Sequence, residues 1–513
     1  MIEVFVNGQL IDVEDDNTIA ATYGNVNFGQ LGKRSGAKTN NWSAPFSPAN
    51  KQVFEGCEVP GSWSAVPYRR GTIRVDLDGV PVFEGWCLVD ESKDNYEILA
   101  FAGASDFYSI IGSRKLADID LSQYDHVWNE TTVRNSWSRT TGYQYAFVEY
   151  GKEWPFSTIP VDYLRPQIFF KDVIQAIATD AGYTLFGDVL TDAQFIKHVI
   201  IPTVYPWPFA YGQTVSLSEY LPDLLQSKVW LDFATMYGLQ FDVDDQTKEI
   251  YCNYIDDVLF NDVEDWTDKV DTTERARTSY RFKDYGQTSY LRFKEMKIGN
   301  TVFPDYSQAI TIDDTTLKET ADIYKSEFCL IWNATAPTVW NLYMFQAKGG
   351  SASVWISAIA YNEGGYTWYS GTYYKALQAG TNKVPPLEPT YWEAISEDDI
   401  WEVVVRPSYG ILETDPVFYI QVAFSTGNET ITRKVTNRGL TWTEIYPRRY
   451  RVFSRILQRT KIVEKLIRLN YADVSQLDFT RAKKIDNELY IIQSVDQFKI
   501  DKNESTIVNF IRL

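Results

Sequence analysis

The chain has little of what most catalytic centres use. In 513 residues there are two histidines, His126 and His198, and four cysteines, Cys57, Cys87, Cys252 and Cys329. The histidines stand far apart with no His-Glu-x-x-His motif, so histidine-based catalysis and zinc hydrolysis are poorly supported. The cysteines are scattered and form no Cys-x-x-Cys pair, which argues against a zinc knuckle or a dense disulfide framework; they read as buried thiols. No apolar run reaches the roughly 18 residues of a membrane span, and the opening MIEVFVNGQLIDVEDD lacks a basic-then-apolar signal pattern. We expect a protein made in a cytoplasm, with neither export signal nor membrane anchor. Basic charge is also scarce. Forty-nine Lys plus Arg against 68 Asp plus Glu leave a formal charge of −19, whereas wrapping nucleic acid requires basic grooves for the phosphates. The local exception is Arg448 to Lys465, RRYRVFSRILQRTKIVEK, read as a solvated face or a surface for an acidic partner.

Aromatic residues are what the chain has in excess. They make up 15% of it, with 34 Tyr, 28 Phe and 16 Trp, a share that fits extensive interfaces or sugar-stacking surfaces as well as plain strand usage. The length allows roughly three domains.

The best-patterned stretch is Gly71 to Gly112. Asp78-Gly79 sits between two alternating apolar runs and tolerates the positive φ of a tight hairpin turn. Ile73, Val75 and Leu77 share a face before it. Val80, Val82, Trp86, Leu88 and Val89 follow, with Gly85 expected as a bulge. After the polar turn ESKDN, Tyr96, Ile98 and Ala100 alternate with Glu97, Leu99 and Phe101 in a third strand. Asn7-Gly8, between Val4, Val6 and Leu10, is a second hairpin signal.

A basic opening, a strand, Asp-Gly-x-x-x-Phe-x-Gly, a polar turn and the pair Asp106-Phe107 together resemble the first barrel of phage tail-hub and baseplate proteins. Lys33 to Phe54, KRSGAKTNNWSAPFSPANKQVF, resembles an arm of large structural proteins of tailed phages of Bacteroidota, the crAss-like phages among them, although Pro45 and Pro48 stand where that arm has one Leu-Pro. Leu116 to Trp128 and Arg165 to Tyr183 resemble further landmarks of the same proteins. The resemblance spans roughly residues 1 to 300 and 440 to 513. It implies a virion protein that associates with copies of itself and with other tail proteins.

Gly29 to Asn50 is polar, basic and longer than ordinary loops. We expect an arm docking on a neighbouring subunit through Lys33, Arg34, Trp42 and Phe46. From Asp118 to Tyr150 we expect short strands. A helix should follow Arg165-Pro166 through Val173, Ile174, Ile177 and Ala178 to Gly182, and a second should run from about Ser218 to Gly238. LQFDVDDQTKEIYCNYI then alternates as a hairpin around Asp244-Asp245, whose acids lack the Gly and distal Glu of a calcium loop. Ile200 to Pro208 should be extended. Strand signals recur in Leu489 to Val495 and Ser505 to Ile511.

Tyr361 to Ile395 resembles a short chitin-binding-type carbohydrate module, with Gly365, Tyr369, Gly371, Tyr374, Ala376, Pro386 and Trp392 in pattern order and Trp368 in place of a small aliphatic. The resemblance implies sugar contacts among Tyr366, Trp368, Tyr373 and Trp392. Strand alternation puts Tyr366 with Trp368 on one face, beside Tyr373 and Lys375 of the next strand. Tyr369, Tyr374 and Trp392 match positions that are largely core in such modules.

The expected fold class is α+β, predominantly β: barrel or sandwich domains, a small helix-bearing domain and a short β insertion. The divisions are 1–155, an N-terminal hub-like domain with the arm at 29–50; 156–345, α+β; 346–397, the module; and 398–513, a C-terminal β domain. The functional expectation is a non-enzymatic tail hub or baseplate component of the virion, homo-oligomeric around the tail axis, with a host-glycan contact and no cofactor, metal or sequence-specific nucleic acid. The alternatives are a tail ring or adaptor protein without host contact and a polysaccharide-degrading tail enzyme.

Overall fold

The computed structural model describes residues 2–14, 18–24, 26–31, 36–145, 158–201, 211–244, 247–294, 297–298, 301–302, 307–330, 346–347, 353–395, 401–402, 410–424, 427–436, 440–500, 502 and 504–513. The expected extended segment at 200–208 and the basic residues Lys33 and Arg34 lie largely or wholly outside them.

The class is α+β with strands predominating. Its largest element is a 14-stranded sheet. Eight of the strands come from the first hundred or so residues: β1 (Ile2–Val6), β2 (Gln9–Ile11), β3 (Ala20–Gly24), β4 (Ala37–Thr39), β5 (Trp42–Pro45), β6 (Gly71–Leu77), β7 (Val80–Ser92) and β8 (Asn95–Ala102). Both expected tight turns form. Asn7 and Gly8 take φ of 50° and 74°, Asp78 and Gly79 take 51° and 78°, and positive φ at both positions matches the right-handed twist of the flanking strands.

The chain's two ends meet in this sheet. β3 pairs with Glu488–Lys499, which pairs with Thr506–Arg512, which pairs in turn with Ile462–Ile467. Strands from the first and last of the four sequence divisions are therefore hydrogen-bonded neighbours. Along the main path the sheet runs from Arg277–Ser279 to β2 without returning on itself, so the expected barrel does not close among the described residues.

Gly85 is not the bulge. The register slips between Val75 and Asp76 and again between Val89 and Glu91. At Gly85 the neighbouring strand comes so close that an added Cβ would lie 2.0 Å from the carbonyl oxygen of Phe101. Glycine is required there by backbone approach.

Two cores lie against the sheet. One gathers Trp42, Phe54, Tyr96, Val495 and Phe510; the other gathers the helices together with Ile491 and Ile511. Alternate residues of the C-terminal strands thus feed both. The helical side contains α2 (Ala104–Ile111), α3 (Glu130–Ser136), α4 (Phe170–Asp180) and α5 (Gln226–Met236), after α1 (Pro48–Val53) on the other side.

Three helical expectations need correction. α4 begins at Phe170 because Gln167–Phe169 is drawn into pairing with His198–Ile200. Leu217–Tyr220 forms only a 3-10 turn; with Pro222 between them, α5 starts at Gln226. Inside the stretch expected as strands, α3 is capped by Asn129, whose side chain accepts the Thr132 N–H. After α5, Leu239–Asp244 and Glu249–Tyr254 form the expected hairpin, with Thr184–Phe186 pairing alongside it. No helix among the described residues is long and apolar enough to cross a membrane.

Candidate functional site

The sequence landmarks converge on one joint. Asp106, in the first turn of α2, accepts from Arg70 Nη1 at 3.0 Å and from the Tyr183 hydroxyl at 3.0 Å. Lys248 Nζ adds contacts to Asp106 at 3.4 Å and to the Tyr183 hydroxyl at 3.2 Å. The guanidinium of Arg70 lies 4.4 Å over the Trp86 ring, which stacks on Phe101 at 4.5 Å. Next to Asp106, Phe107 is buried edge-on against Trp230 at 4.6 Å and Tyr183 at 5.4 Å. A carboxylate holding two cations and a phenol beside a locked aromatic cluster is an architectural clamp: it ties β8, α2, the end of α4 and the 239–254 hairpin together.

Neither histidine sits in a catalytic constellation. His126 bonds the Tyr124 carbonyl at 3.0 Å and the Tyr145 hydroxyl at 2.8 Å, and burial lowers its pKa. His198 is buried against the Tyr237 hydroxyl, and burial pushes it down to about 3. Both therefore act as neutral structural groups. Among the described residues no group of three or more His, Cys, Asp or Glu is placed to hold a metal. The Cys87 thiol is buried, which pushes it up to about 12, and Cys252 is raised for the same reason.

The 361–395 module is a small sheet ordered Ser353–Val354, Tyr366–Tyr369, Thr372–Ala376, Trp392–Ile395. Its register puts Trp368 opposite Tyr373 and Tyr366 opposite Lys375, and places Glu393 and Ile395 in the same two rows. Trp368 is exposed and Tyr373 and Lys375 are half-buried, so an aromatic row with charged neighbours faces outward. Tyr366 is buried, and Trp392 occupies the opposite face opposite Ala376. The Trp392 indole N–H donates to the Lys383 carbonyl at 2.8 Å, and its ring meets Tyr361 edge-on at 5.1 Å. As surface sugar contacts, Trp392 and Tyr366 are thus corrected: Trp392 belongs to the module's core and Tyr366 is buried. Trp368 and Tyr373 remain on an accessible face, joined by Lys375 and Glu393.

The 29–50 segment is folded on its own chain wherever it is described. Trp42 is 1% exposed, in β5, opposite Ile98 of β8. The Phe46 ring lies edge-on to Tyr96 at 4.7 Å. Buried Asn50 donates to the carbonyls of Asp12 and Pro45 at 2.8 Å each and accepts the Asp12 N–H, also at 2.8 Å. Trp42 is consequently corrected as a subunit-docking anchor, because its surface already fills this chain's core, whereas Phe46 packs on that core and is half-buried. Of the basic stretch at 448–465, Arg449 pairs with Asp192 at 2.5 Å within the chain.

No family model matches the chain, and no curated protein matches it. Solved structures similar to it include the 43 kDa tail protein of prophage MuSo2 from Shewanella oneidensis, with a TM-score of 0.38 at 8% identity over 99% of this chain and 97% of that one. A tail protein from Neisseria meningitidis MC58 gives 0.34 at 8% identity over 100% of this chain and 95% of that one.

Proposed function

We propose that the chain is a structural component of a phage tail: a hub or baseplate protein that assembles with copies of itself and with other tail proteins around the tail axis. The observation that carries this reading is the Asp106 joint. The Asp106-Phe107 pair, read in the sequence as a landmark of tail hubs, closes in space on Arg70, just before the hairpin, and on Tyr183, the last residue of the Arg165 to Tyr183 stretch, and does architectural work there. In this reading the protein belongs to the virion, and the four sequence divisions mark hub-like parts around an inserted module. The Trp368–Tyr373 row faces host surface glycan. An aromatic pair flanked by Lys375 and Glu393 offers a sugar one stacking surface plus charged hydrogen-bond partners. One such site is weak, but several held in a ring gain about 10²- to 10⁴-fold in avidity.

Peptide mass spectrometry of purified particles tests the assignment. We expect the chain as a stoichiometric component of the particle. Its presence in infected lysate but absence from particles would refute the structural reading.

A further inference from the structure

The segment from Glu55 to Arg70 is a loop held in shape by its own hydrogen bonds. The Ser62 N–H donates to the Val59 carbonyl at 2.8 Å, Ser64 Oγ to Glu55 at 3.2 Å, and the Val66 N–H to Ser64 Oγ at 3.1 Å. The Tyr68 and Arg69 N–H groups close a 3-10 turn on Ala65 and Val66. Underneath, Val53, Cys57 and Val66 pack on the core. On top, Trp63 is 100% and Tyr68 88% exposed. An ordered loop that presents a bare indole and a bare phenol holds the residue types that dominate binding hot spots, at little further entropic cost. Of its two arginines, Arg70 is bound to Asp106 within the chain, and Arg69 is exposed beside Tyr68 with no acid between Val59 and Arg70.

A second surface has the complementary character. On the outer face of the three-stranded sheet, Phe186, Tyr251 and Asp242 form one row, and Thr184, Glu249 and Asp244 form the next. The Phe186 and Tyr251 rings stack at 5.3 Å and stay partly exposed. Asp242, Asp244 and Glu249 put three carboxyls in these two rows, and burial, with smaller contributions from Asp478 and Asp244, raises the Asp242 pKa. The nearby cation Lys248 is turned to Asp106 and Tyr183. In a chain with a charge of −19, a basic aromatic loop and an acidic aromatic face suit each other in sign and chemistry.

Resting on the self-assembly proposed above, we infer that the 59–70 loop of one copy seats Trp63 and Tyr68 on the Phe186–Tyr251 face of a second copy, with Arg69 against Asp242 and Asp244. Each aromatic side chain brings on the order of 150–250 Å² of surface. Two of them supply about half of the roughly 800 Å² per partner typical of specific interfaces.

The test uses the full chain in sedimentation velocity. Wild type should self-associate. Trp63→Ser, which spoils the loop, and Tyr251→Ser or Asp242→Lys, which spoil the face, should each weaken association roughly thirtyfold or more while keeping the near-ultraviolet dichroism of the fold. A mixture of the loop variant with a face variant retains one intact loop and one intact face, and should form a one-to-one heterodimer. Wild-type assembly that all three variants keep would overturn this contact and leave the assembly reading standing. The contact is equally overturned if the variants are monomeric and their mixture gives no heterodimer. A monomeric wild type would remove both.

Discussion

Asp232 gives the chain a stability term of definite sign and size. Its carboxyl, on α5, is fully buried and accepts from the Tyr324 hydroxyl and, at 3.0 Å, from the Glu327 N–H. Burial is the largest influence on it and raises its pKa from 3.8 to about 7, against the lowering effect of the bonds from Tyr324, Ser326 and the Glu327 N–H. In the unfolded chain this acid loses its proton near pH 4; in the folded protein it holds the proton to about pH 7. Its contribution is therefore fully present below about pH 4 and is lost as pH rises toward 7, with no further change above. Roughly three pH units at about 1.4 kcal/mol each make the loss about 4 kcal/mol. Asp232→Asn removes the titration. It keeps an oxygen for the Glu327 N–H, and its amide donates to the Tyr324 oxygen, so the variant should fold. The assay is the difference in urea midpoint between wild type and variant from pH 4.5 to 7.5. Wild type should be favoured at the acid end, with an advantage that shrinks steadily toward neutrality. A difference that stays constant across that range would refute the account of Asp232 as a buried acid still protonated near neutral pH.

Gly85→Ala should cost about 3 kcal/mol in denaturant melting, because the new Cβ meets the backbone at Phe101 and Ala102 and neither can move alone; an unchanged midpoint would disprove the close approach. Trp42→Ala should cost about 4 kcal/mol through the cavity it leaves in the core while leaving the oligomeric mass of the folded protein unchanged; loss of assembly without loss of stability would restore the docking-arm reading. Glu264→Gln removes the charge that balances the Lys483 ammonium, whose side chain has no exposure and lies 2.8 Å from Glu264, and leaves it only neutral acceptors such as the Asp478 carbonyl at 3.1 Å; thermal melts should show a loss of roughly 3 kcal/mol. Trp368→Ala should keep the module's dichroism and abolish retention on host surface polysaccharide, whereas Trp392→Ala should unfold the module; equal retention of wild type and Trp368→Ala would remove the glycan contact, and shortening of the polysaccharide by wild type would point to an enzyme.

What could be read from the sequence was local. Asn7-Gly8, Asp78-Gly79 and the C-terminal alternations each carry their own signal, since turn chemistry and period-2 patterning are set by neighbours in the chain. Partners were not legible. Nothing in Ser505 to Ile511 says that its strand completes a sheet begun at Ile2, because alternation gives a buried face without naming the strand beside it. The 29–50 stretch looked like a free arm because its hold on the fold is nonlocal: Asn50 reaches Asp12, and Trp42 and Phe46 reach β8. In the module, parity along each strand set Tyr366 with Trp368 and Tyr373 with Lys375, but that the two pairs share a face, and the side taken by Trp392, depend on which residues the strands pair. α3 did leave a signal, the Asn129-Glu130 cap, which the aromatic and threonine-rich composition around it concealed. The Trp63 loop gave none, since a tryptophan between serines is equally compatible with burial.

The central claim, that this chain builds the axis of a phage tail, is tested most directly by gold-labelled antibody against it on intact particles viewed in negative stain. The account predicts gold confined to one position on the tail axis of every labelled particle; gold on the capsid, or particles that carry none, would contradict it.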